Sequence, residues 1–321
     1  MKADIRKFIS SGGDFDQTAL SLYAWQREHN PEYDRFCGNI TVRHWSDIPA
    51  PPTTLFRDLS LTCFDVAKTK VKFRTSGTSA GQRGEVHLLD TEIYDLAAVS
   101  HATACLGPLP TTGVSLVPSA ADSSLGHMCK HFVPGMPSFF DADNGVDATG
   151  AWQAIKQATA SGRPLFIPGT AFALADLLDH PAEPVDTPPG SIVMVTGGFK
   201  GRRRAVPPQI LHSALSARLR GAAVVGEYGM SELGSQLWSV PADGPFRPPP
   251  WMRVLAVDPW SGEPATRGLL RFFDLANHQT VLAIETQDVG IVHADGTVRL
   301  EGRLEGAVPR GCSLTVEEAN A

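Results

Sequence analysis

The sequence predicts an α/β protein in which a doubly wound, mostly parallel sheet forms the body and a small antiparallel β subdomain lies near the C-terminus. Two patterns predict this fold. Strand-like apolar segments alternate with helix-like segments between about residues 113 and 225, which is typical of parallel sheets. After residue 250, turn signals separate short apolar segments, which indicates hairpins. A chain of 321 residues can also bury a full core.

The first fifty residues predict one amphipathic helix. Between residues 16 and 29, apolar and aromatic residues recur among polar ones, and Asn30-Pro31 ends the pattern. The proline-rich segment 49–52 is a stiff connector, too short to separate domains.

In the body, glycine and proline mark the ends of the helices. Gly162 follows the first predicted helix, Pro181 ends the second, and Pro207-Pro208 opens the third. The expected strands are 113–117, 164–167, 191–195 and 222–225, and the expected helices are 151–161, 170–180 and 207–220.

The expected β subdomain is marked by turn signals at 258–262, 277–279 and 295–296. We therefore expect one domain over residues 1–305. Its α/β body covers about 1–240 and its β subdomain about 250–305. A short tail, 306–321, follows and carries Cys312.

Composition excludes several classes of protein. The chain has 28 Lys plus Arg against 34 Asp plus Glu, a net charge of −6, whereas a nucleic-acid-binding protein needs a basic patch. No apolar run approaches the ~20 residues of a membrane span, and the N-terminus lacks a signal-peptide core. We expect a soluble, cytoplasmic protein with neither nucleic acid nor membrane as a partner.

The cysteines favour neither a disulfide scaffold nor a zinc ribbon. They number five and contain no C-x-x-C pair, and four of them are most simply interpreted as small buried side chains. His127-x-Cys129-x-His131 could bring three ligands to one face if it formed a strand, but ordinary burial explains this alternation equally well.

Three loops could bind a ligand. Residues 196–201 and 226–232 follow predicted parallel strands, whose carboxyl ends bind ligands in open α/β sheets. In the second of these loops Tyr228 offers a flat ring and Glu232 a carboxylate. The segment 75–81 is rich in Ser, Thr and Gly and could cradle a phosphate, although it lacks the Lys of a Walker A loop. Tight turns and a flexible linker are the alternative interpretations of these segments.

Four motifs together resemble those of the adenylate-forming enzymes, which include acyl-CoA synthetases, luciferases and peptide-synthetase adenylation domains. They are TSGTSAG (75–81), EYGMSE (227–232), TQD (286–288), with Gln in place of the usual Gly, and GRLEG (302–306), with Glu in place of the usual Asp. Within this superfamily the chain resembles the LuxE-type acyl-protein synthetases over nearly its whole length, including SSLGHM (123–128), VTGGFKGRR (195–203) and PRGCSL (309–314). Phenylacetate–CoA ligases are the next most similar.

The resemblance implies an enzyme that uses ATP and Mg²⁺ to convert a fatty or aryl acid into an acyl-adenylate, with release of pyrophosphate. It further implies that the acyl group passes to a cysteine thiol, here Cys312, and onward to a partner such as an acyl reductase. Tyr228 would stack on the adenine, with Gly197 and Gly198 nearby, and Ser231 would reach the α-phosphate. Gly229 would also bind ATP. Glu232 would bind Mg²⁺. The residues implied to hold the β- and γ-phosphates are Thr75, Ser76, Gly77, Thr78, Ser79 and Gly81, and those implied to hold the ribose are Asp288 and Arg303.

Other functions remain open at this point. The acyl acceptor could be CoA or a carrier protein, or the chain could be a nucleotide-binding regulatory subunit without catalysis. The sequence ends at Ala321, so we expect the mobile C-terminal domain of adenylate-forming enzymes, and the lysine it supplies, to be absent. We expect the acid to lie among aromatic side chains, namely Phe139, Phe140, Phe166, Phe172 and Phe199.

Overall fold

A computed structural model describes residues 1–75, 83–141, 144–197, 206–304, 308–310 and 313–315. The α-helices, numbered along the chain, are α1 Lys2–Ser11, α2 Phe15–His29, α3 Pro31–Cys37, α4 Glu92–Leu106, α5 Ser124–Phe132, α6 Ala148–Ala160, α7 Ala171–Asp179 and α8 Pro208–Arg218. Short 3₁₀ helices cover Trp45–Asp47, Thr53–Arg57 and Val66–Lys68. The strands are β1 Val71–Arg74, β2 Glu85–Leu88, β3 Thr112–Gly113, β4 Phe140–Asp141, β5 Gly145–Val146, β6 Leu165–Thr170, β7 Val185–Asp186, β8 Ile192–Thr196, β9 Leu219–Arg220, β10 Ala223–Tyr228, β11 Leu237–Ser239, β12 Met252–Val257, β13 Pro264–Ala265, β14 Arg267–Asp274, β15 Ala283–Val292, β16 Val298–Arg303, β17 Val308–Arg310 and β18 Ser313–Thr315.

The chain folds into two compact units that are not contiguous in sequence. The parallel unit contains residues 101–230 and 237–246. The antiparallel unit contains residues 1–100, 231–236 and 247–321. The first hundred residues therefore belong with the C-terminal sheet, whereas the sequence pattern suggested that they would be part of the α/β body.

The parallel unit is built on a five-stranded sheet with the order β11-β10-β8-β6-β3. Strands β3, β6, β8 and β10 run parallel, and β11 pairs antiparallel with β10. Leu165 and Ile167 of β6 face a hydrophobic core that also contains residues of α6, α7 and α8. Phe166 lies on the opposite face and packs against Phe132 of α5, with ring centroids 5.9 Å apart. Helices therefore cover both faces, which confirms the predicted fold class.

Local signals account well for the body. The predicted helices 151–161, 170–180 and 207–220 correspond to α6, α7 and α8. The Asp147 side chain caps α6 by accepting from Gly150 N at 2.9 Å. The predicted strand 113–117 is mostly irregular: β3 ends at Gly113, and only isolated bridges involve Ser115 and Leu116.

Residues 127–131 do not form the strand that a three-ligand site at these positions would need. These residues lie in α5, whose N-cap Ser123 accepts from Gly126 N at 3.0 Å. His127 and His131 are one helical turn apart, with ring centroids 6.4 Å apart, while Cys129 is buried. Within the described ranges no group of three or more His, Cys, Asp or Glu side chains could hold a metal ion.

The antiparallel unit contains a five-stranded sheet with the order β13-β12-β14-β15-β16. The predicted turn at 277–279 lies in the connection between β14 and β15, and this connection is buried. Gln26 of α2 holds it from the N-terminal region: Gln26 Nε2 donates to Asn277 O at 2.8 Å, and Leu282 N donates to Gln26 Oε1 at 2.9 Å. These bonds explain why the N-terminal helices belong to this unit.

Among the residues that the structure describes, no helix combines the length and the apolar character needed to cross a membrane.

Candidate functional site

Three of the motif residues meet in the antiparallel unit. Asp288 of β15 and Arg303 of β16 are register partners, and Arg303 Nε lies 3.5 Å from Asp288 Oδ1. Glu232 is 8% exposed, and burial raises the pKa of its carboxyl to about 7. The nearby Arg303 guanidinium opposes this rise in pKa, whereas the Asp288 carboxylate adds to it. The structure thus brings Glu232, Asp288 and Arg303 into one electrostatic group.

The backbone of Glu232 is held by the buried connection between β14 and β15. Asn277 Nδ2 donates to Glu232 O at 3.0 Å. Four residues beyond Glu232, Gln236 Nε2 donates to Tyr94 OH at 3.1 Å. Sequence reasoning missed Asn277, which gave no signal except that of a turn residue.

The segment before Glu232 is tied to the base of the expected phosphate loop. Ser231 Oγ donates to Arg74 O, the last residue of β1, at 3.2 Å. Thr75 N donates to Gly84 O at 2.9 Å, and Gly84 N donates to Thr75 Oγ1 at 3.0 Å, so Thr75 and Gly84 close the loop. A Cβ at Gly84 would lie 3.3 Å from the backbone of Phe56, which favours glycine there.

Several predicted site residues lie outside the described part of the chain. These are Ser76, Gly77, Thr78, Ser79, Gly81, Gly198 and Cys312. Phe199 of the expected aromatic pocket also lies outside it, while Phe140 and Phe172 pack together in the core of the parallel unit, with ring centroids 5.6 Å apart.

In the parallel unit, two predicted adenine-binding positions follow neighbouring strands. Gly197 comes directly after β8 and has a φ of +61°, a conformation that favours glycine. Tyr228 ends β10, and its ring contacts Phe246 edge to face at 6.2 Å. Because Glu227 and Thr196 are register partners, Gly197 and Tyr228 both lie at the carboxyl edge of this sheet. Gly229 follows as an exposed residue.

Glu227 is a second buried carboxyl that sequence reasoning did not single out. It is 6% exposed, and burial raises its pKa to about 7, although the hydrogen bond from Thr196 Oγ1 to Glu227 Oε2 opposes the rise in pKa. In the EYGMSE motif, the residues predicted to bind a ligand were Tyr228 and Glu232. Glu227 was missed because only the strand register places it beside Thr196.

The donor set fits Mg²⁺ in its usual protein setting. Mg²⁺ prefers oxygen ligands and is commonly bound by one or two carboxylates together with substrate phosphates. Glu232 supplies one buried carboxylate, and ionisation of this group would be stabilised by a cation.

No protein-family model matches the sequence, and no curated protein matches it. Solved structures do match. They include the luciferase-like enzyme from the mealworm Zophobas morio (16% identity, TM-score 0.54, 76% of this chain and 60% of that one). They also include the O-succinylbenzoate–CoA synthetase of Bacillus subtilis with ATP and magnesium (18% identity, TM-score 0.54, 78% and 54%). ATP-bound MatB from Rhodopseudomonas palustris matches at 18% identity and a TM-score of 0.53, over 76% and 50%.

These similarities concern the fold. The chain has the fold of the N-terminal domain of adenylate-forming enzymes, and it spans only about half to three fifths of the length of these three structures. The four sequence motifs had predicted that this chain would share its fold with adenylate-forming enzymes.

Proposed function

We propose that the protein activates a carboxylic acid with ATP, forming an acyl-adenylate and pyrophosphate. The observation that carries this proposal is the grouping of Glu232 with Asp288 and Arg303 in a fold that ATP-bound synthetases share. Each of these residues comes from a different motif. Their convergence is what a nucleotide and metal site requires, whereas three unrelated motif matches would have no reason to meet.

In the proposed reaction, a carboxylate oxygen of the acid attacks the α-phosphorus of ATP, and the bond from that phosphorus to pyrophosphate breaks. Negative charge accumulates on the phosphoryl oxygens, so hydrogen-bond donors must surround them. Ser231 would donate to the α-phosphate, and the hydroxyl and backbone donors of the 75–81 loop would hold the β- and γ-phosphates. Mg²⁺, held by Glu232, supplies charge neutralisation when bound.

The remaining residues would orient the nucleotide. The Asp288 carboxylate can accept hydrogen bonds from both ribose hydroxyls, and Arg303 Nε lies 3.5 Å from Asp288 Oδ1. Tyr228 would stack on adenine next to Gly197 and Gly198, while Gly229 leaves room after the ring. Use of ATP would place the reaction in the cytoplasm.

The proposed second step transfers the acyl group to Cys312. Its thiolate attacks the acyl carbonyl, the bond between that carbon and the AMP oxygen breaks, and a thioester forms as AMP leaves. A partner such as an acyl reductase or a carrier protein would then take the acyl group. This step is supported by the likeness of PRGCSL (309–314) to the LuxE-type family.

The experiment that tests the proposal is a panel of fatty and aryl acids with ATP and Mg²⁺, followed by pyrophosphate release and intact-protein mass. Pyrophosphate with an acyl mass on the Cys312 peptide is the expected result. Pyrophosphate without that mass would move the acceptor to CoA or a carrier protein. A nucleotide-dependent rise in thermal stability without pyrophosphate from any acid would refute catalysis and favour a regulatory subunit.

A further inference from the structure

A row of four polar side chains crosses the carboxyl edge of the parallel sheet. Thr170 of β6 pairs in register with Thr196 of β8, Thr196 with Glu227 of β10, and Glu227 with Trp238 of β11. Register partners project from the same face of a sheet, so the four side chains form one line, which we call the polar row.

The polar row lies on the face that α5 covers. Alternate residues of the same strands, such as Ile167 and Val195, face the hydrophobic core on the other side. Phe132 of α5 contacts the Trp238 ring with a centroid separation of 6.4 Å. Trp238 is 1% exposed, so the polar row sits below the protein surface.

The polar row is incompletely hydrogen-bonded. Trp238 Nε1 and Thr170 Oγ1 are both buried, and neither has a hydrogen-bond partner among the residues that the structure describes. Leaving a buried donor unpaired costs roughly 1–3 kcal/mol, and nearly all such groups in native proteins are paired. Two unpaired atoms flanking the Thr196–Glu227 bond therefore indicate that a bound group completes the row.

The donors and acceptors of the row define that group. Trp Nε1–H can only donate and needs an acceptor, whereas an ionised Glu can only accept and needs a donor. A hydroxyl provides both. A methyl group provides neither, and an ammonium group would satisfy Glu227 while leaving Trp238 unpaired.

The position of the row is that of a ligand site. In open α/β sheets, ligands bind outside the carboxyl ends of the strands, and the row is directly followed by Gly197 and Tyr228. A small cavity beside α5 is lined in part by Val117, Gly126 and Cys129, and the four side chains of the polar row are not among its lining residues. The Glu227 carboxylate adds to the effect of burial in raising the pKa of the Cys129 thiol, so the two groups are neighbours.

We infer that the polar row binds a hydroxyl group of the acid, so that the substrate is a hydroxylated carboxylic acid. This inference rests on the proposed acid activation and narrows its substrate class. Sites that hydrogen-bond a substrate hydroxyl reject the analogue lacking it, by factors of up to ~10⁴–10⁵, because their buried polar groups are then left unpaired.

The test compares matched pairs of acids by kcat/KM for pyrophosphate release. The pairs are para-hydroxybenzoate against benzoate and omega-hydroxydecanoate against decanoate, with omega-aminodecanoate as the ammonium probe. In at least one pair, the wild-type protein is expected to favour the hydroxy acid by ~10²-fold or more. Pyrophosphate release that is equal within each pair, or faster with the parent or amino acid, overturns the inference but leaves acid activation intact.

Variants locate the selectivity. Trp238→Phe keeps an aromatic ring against Phe132 and removes the N–H, and it is expected to lower the preference for the hydroxy acid over its parent acid ~10-fold. Trp152→Phe is the matched control, because Trp152 is buried in the same unit but its Nε1 donates to Leu177 O at 3.0 Å. Should Trp238→Phe fail to fold, Thr170→Val removes the second unpaired atom with little change in shape.

The outcomes separate the two proposals. A preference that survives both Trp238→Phe and Thr170→Val places the selectivity elsewhere and overturns the inference. An equal loss of preference in Trp152→Phe also overturns it, since the effect would then be a general consequence of core damage. Absence of pyrophosphate with every acid refutes the proposed activation itself.

Discussion

Glu232 gives the sharpest test of the proposed chemistry, because its carboxyl must be ionised to bind Mg²⁺ and burial opposes that ionisation. With a pKa of about 7, about one tenth of the free protein carries the carboxylate at about pH 6 and about nine tenths at about pH 8. At limiting Mg²⁺, pyrophosphate release should therefore rise roughly tenfold over this range. Mg²⁺ binds only the ionised form, so each tenfold rise in free Mg²⁺ above its Kd should lower the apparent pKa by about one unit.

The assay is the initial rate of pyrophosphate release against pH at several concentrations of free Mg²⁺, with the best acid of the panel. ATP itself titrates near this range, so Glu232→Gln provides the reference: it keeps the ATP titration and removes the carboxyl. We expect this variant to lose ~10²–10³ in rate and to lose the Mg²⁺-dependent shift of the profile.

Asp274→Asn is the matched control. Asp274 is a second buried carboxyl of the antiparallel unit, and burial raises its pKa to about 7 as well, but its Oδ1 accepts from Ser235 Oγ at 2.9 Å and from Ala276 N at 3.0 Å. Its loss should leave the pH profile of pyrophosphate release unchanged. A Mg²⁺-dependent limb that persists in Glu232→Gln, or that disappears in Asp274→Asn, would refute the assignment of Glu232.

The control variant and two further changes also have defined outcomes. Asp274→Asn should raise the free energy of unfolding at about pH 8 by up to about 4 kcal/mol. The reason is that the folded pKa of this carboxyl is raised from 3.8 to about 7, so the wild-type protein loses stability as the pH rises through that window. Urea unfolding near pH 4 and pH 8 measures the effect, and identical pH dependence of the wild type and the variant would contradict it. Asn277→Ala removes the hydrogen bond to Glu232 O and should lower the free energy of unfolding by about 1–3 kcal/mol. It should also weaken Mg²⁺-dependent pyrophosphate release. A loss of stability with unchanged Mg²⁺ dependence would show that Asn277 is purely structural. Cys312→Ser should leave pyrophosphate release intact and abolish hydroxylamine-sensitive self-acylation, and an acyl mass that persists at another residue would show that the acceptor is misassigned.

The elements of the parallel unit could be predicted because their signals are local. Gly162 and Pro208 lie at helix ends in the structure, as the sequence indicated. The apolar segments of β6, β8 and β10 can be recognised in the sequence without any knowledge of their tertiary contacts. Residues 127–131 also had a local signal: the N-cap at Ser123 and the helical spacing of the two histidines indicate the helix that the structure shows there.

The membership of the N-terminal region could not be predicted, because it depends on contacts between distant residues. Gln26 forms hydrogen bonds with the connection between β14 and β15, about 250 residues further along the chain. The sequence of an amphipathic helix does not indicate which distant residues a buried glutamine will contact. The polar row was hidden for the same reason. Thr196 and Glu227 are adjacent only through the strand register, and no sequence pattern specifies a register between parallel strands joined by a helix.

Three buried carboxyls, Glu227, Glu232 and Asp274, have pKa values raised to about 7 by burial, yet their partners differ and so do their inferred roles. Asp274 Oδ1 accepts bonds from Ser235 and from the backbone of its own turn, which suits a group that fixes a fold, although its Oδ2 is buried without a partner among the described residues. The pKa of Glu232 is lowered by the cation of Arg303 and raised by the anion of Asp288, so its charge would respond to a further ion bound nearby. Glu227 has a single hydroxyl donor and lies in line with two unpaired polar atoms. Because burial is the largest cause of the raised pKa in all three carboxyls, the set of neighbouring donors and charges is what distinguishes a structural carboxyl from one placed to meet a ligand.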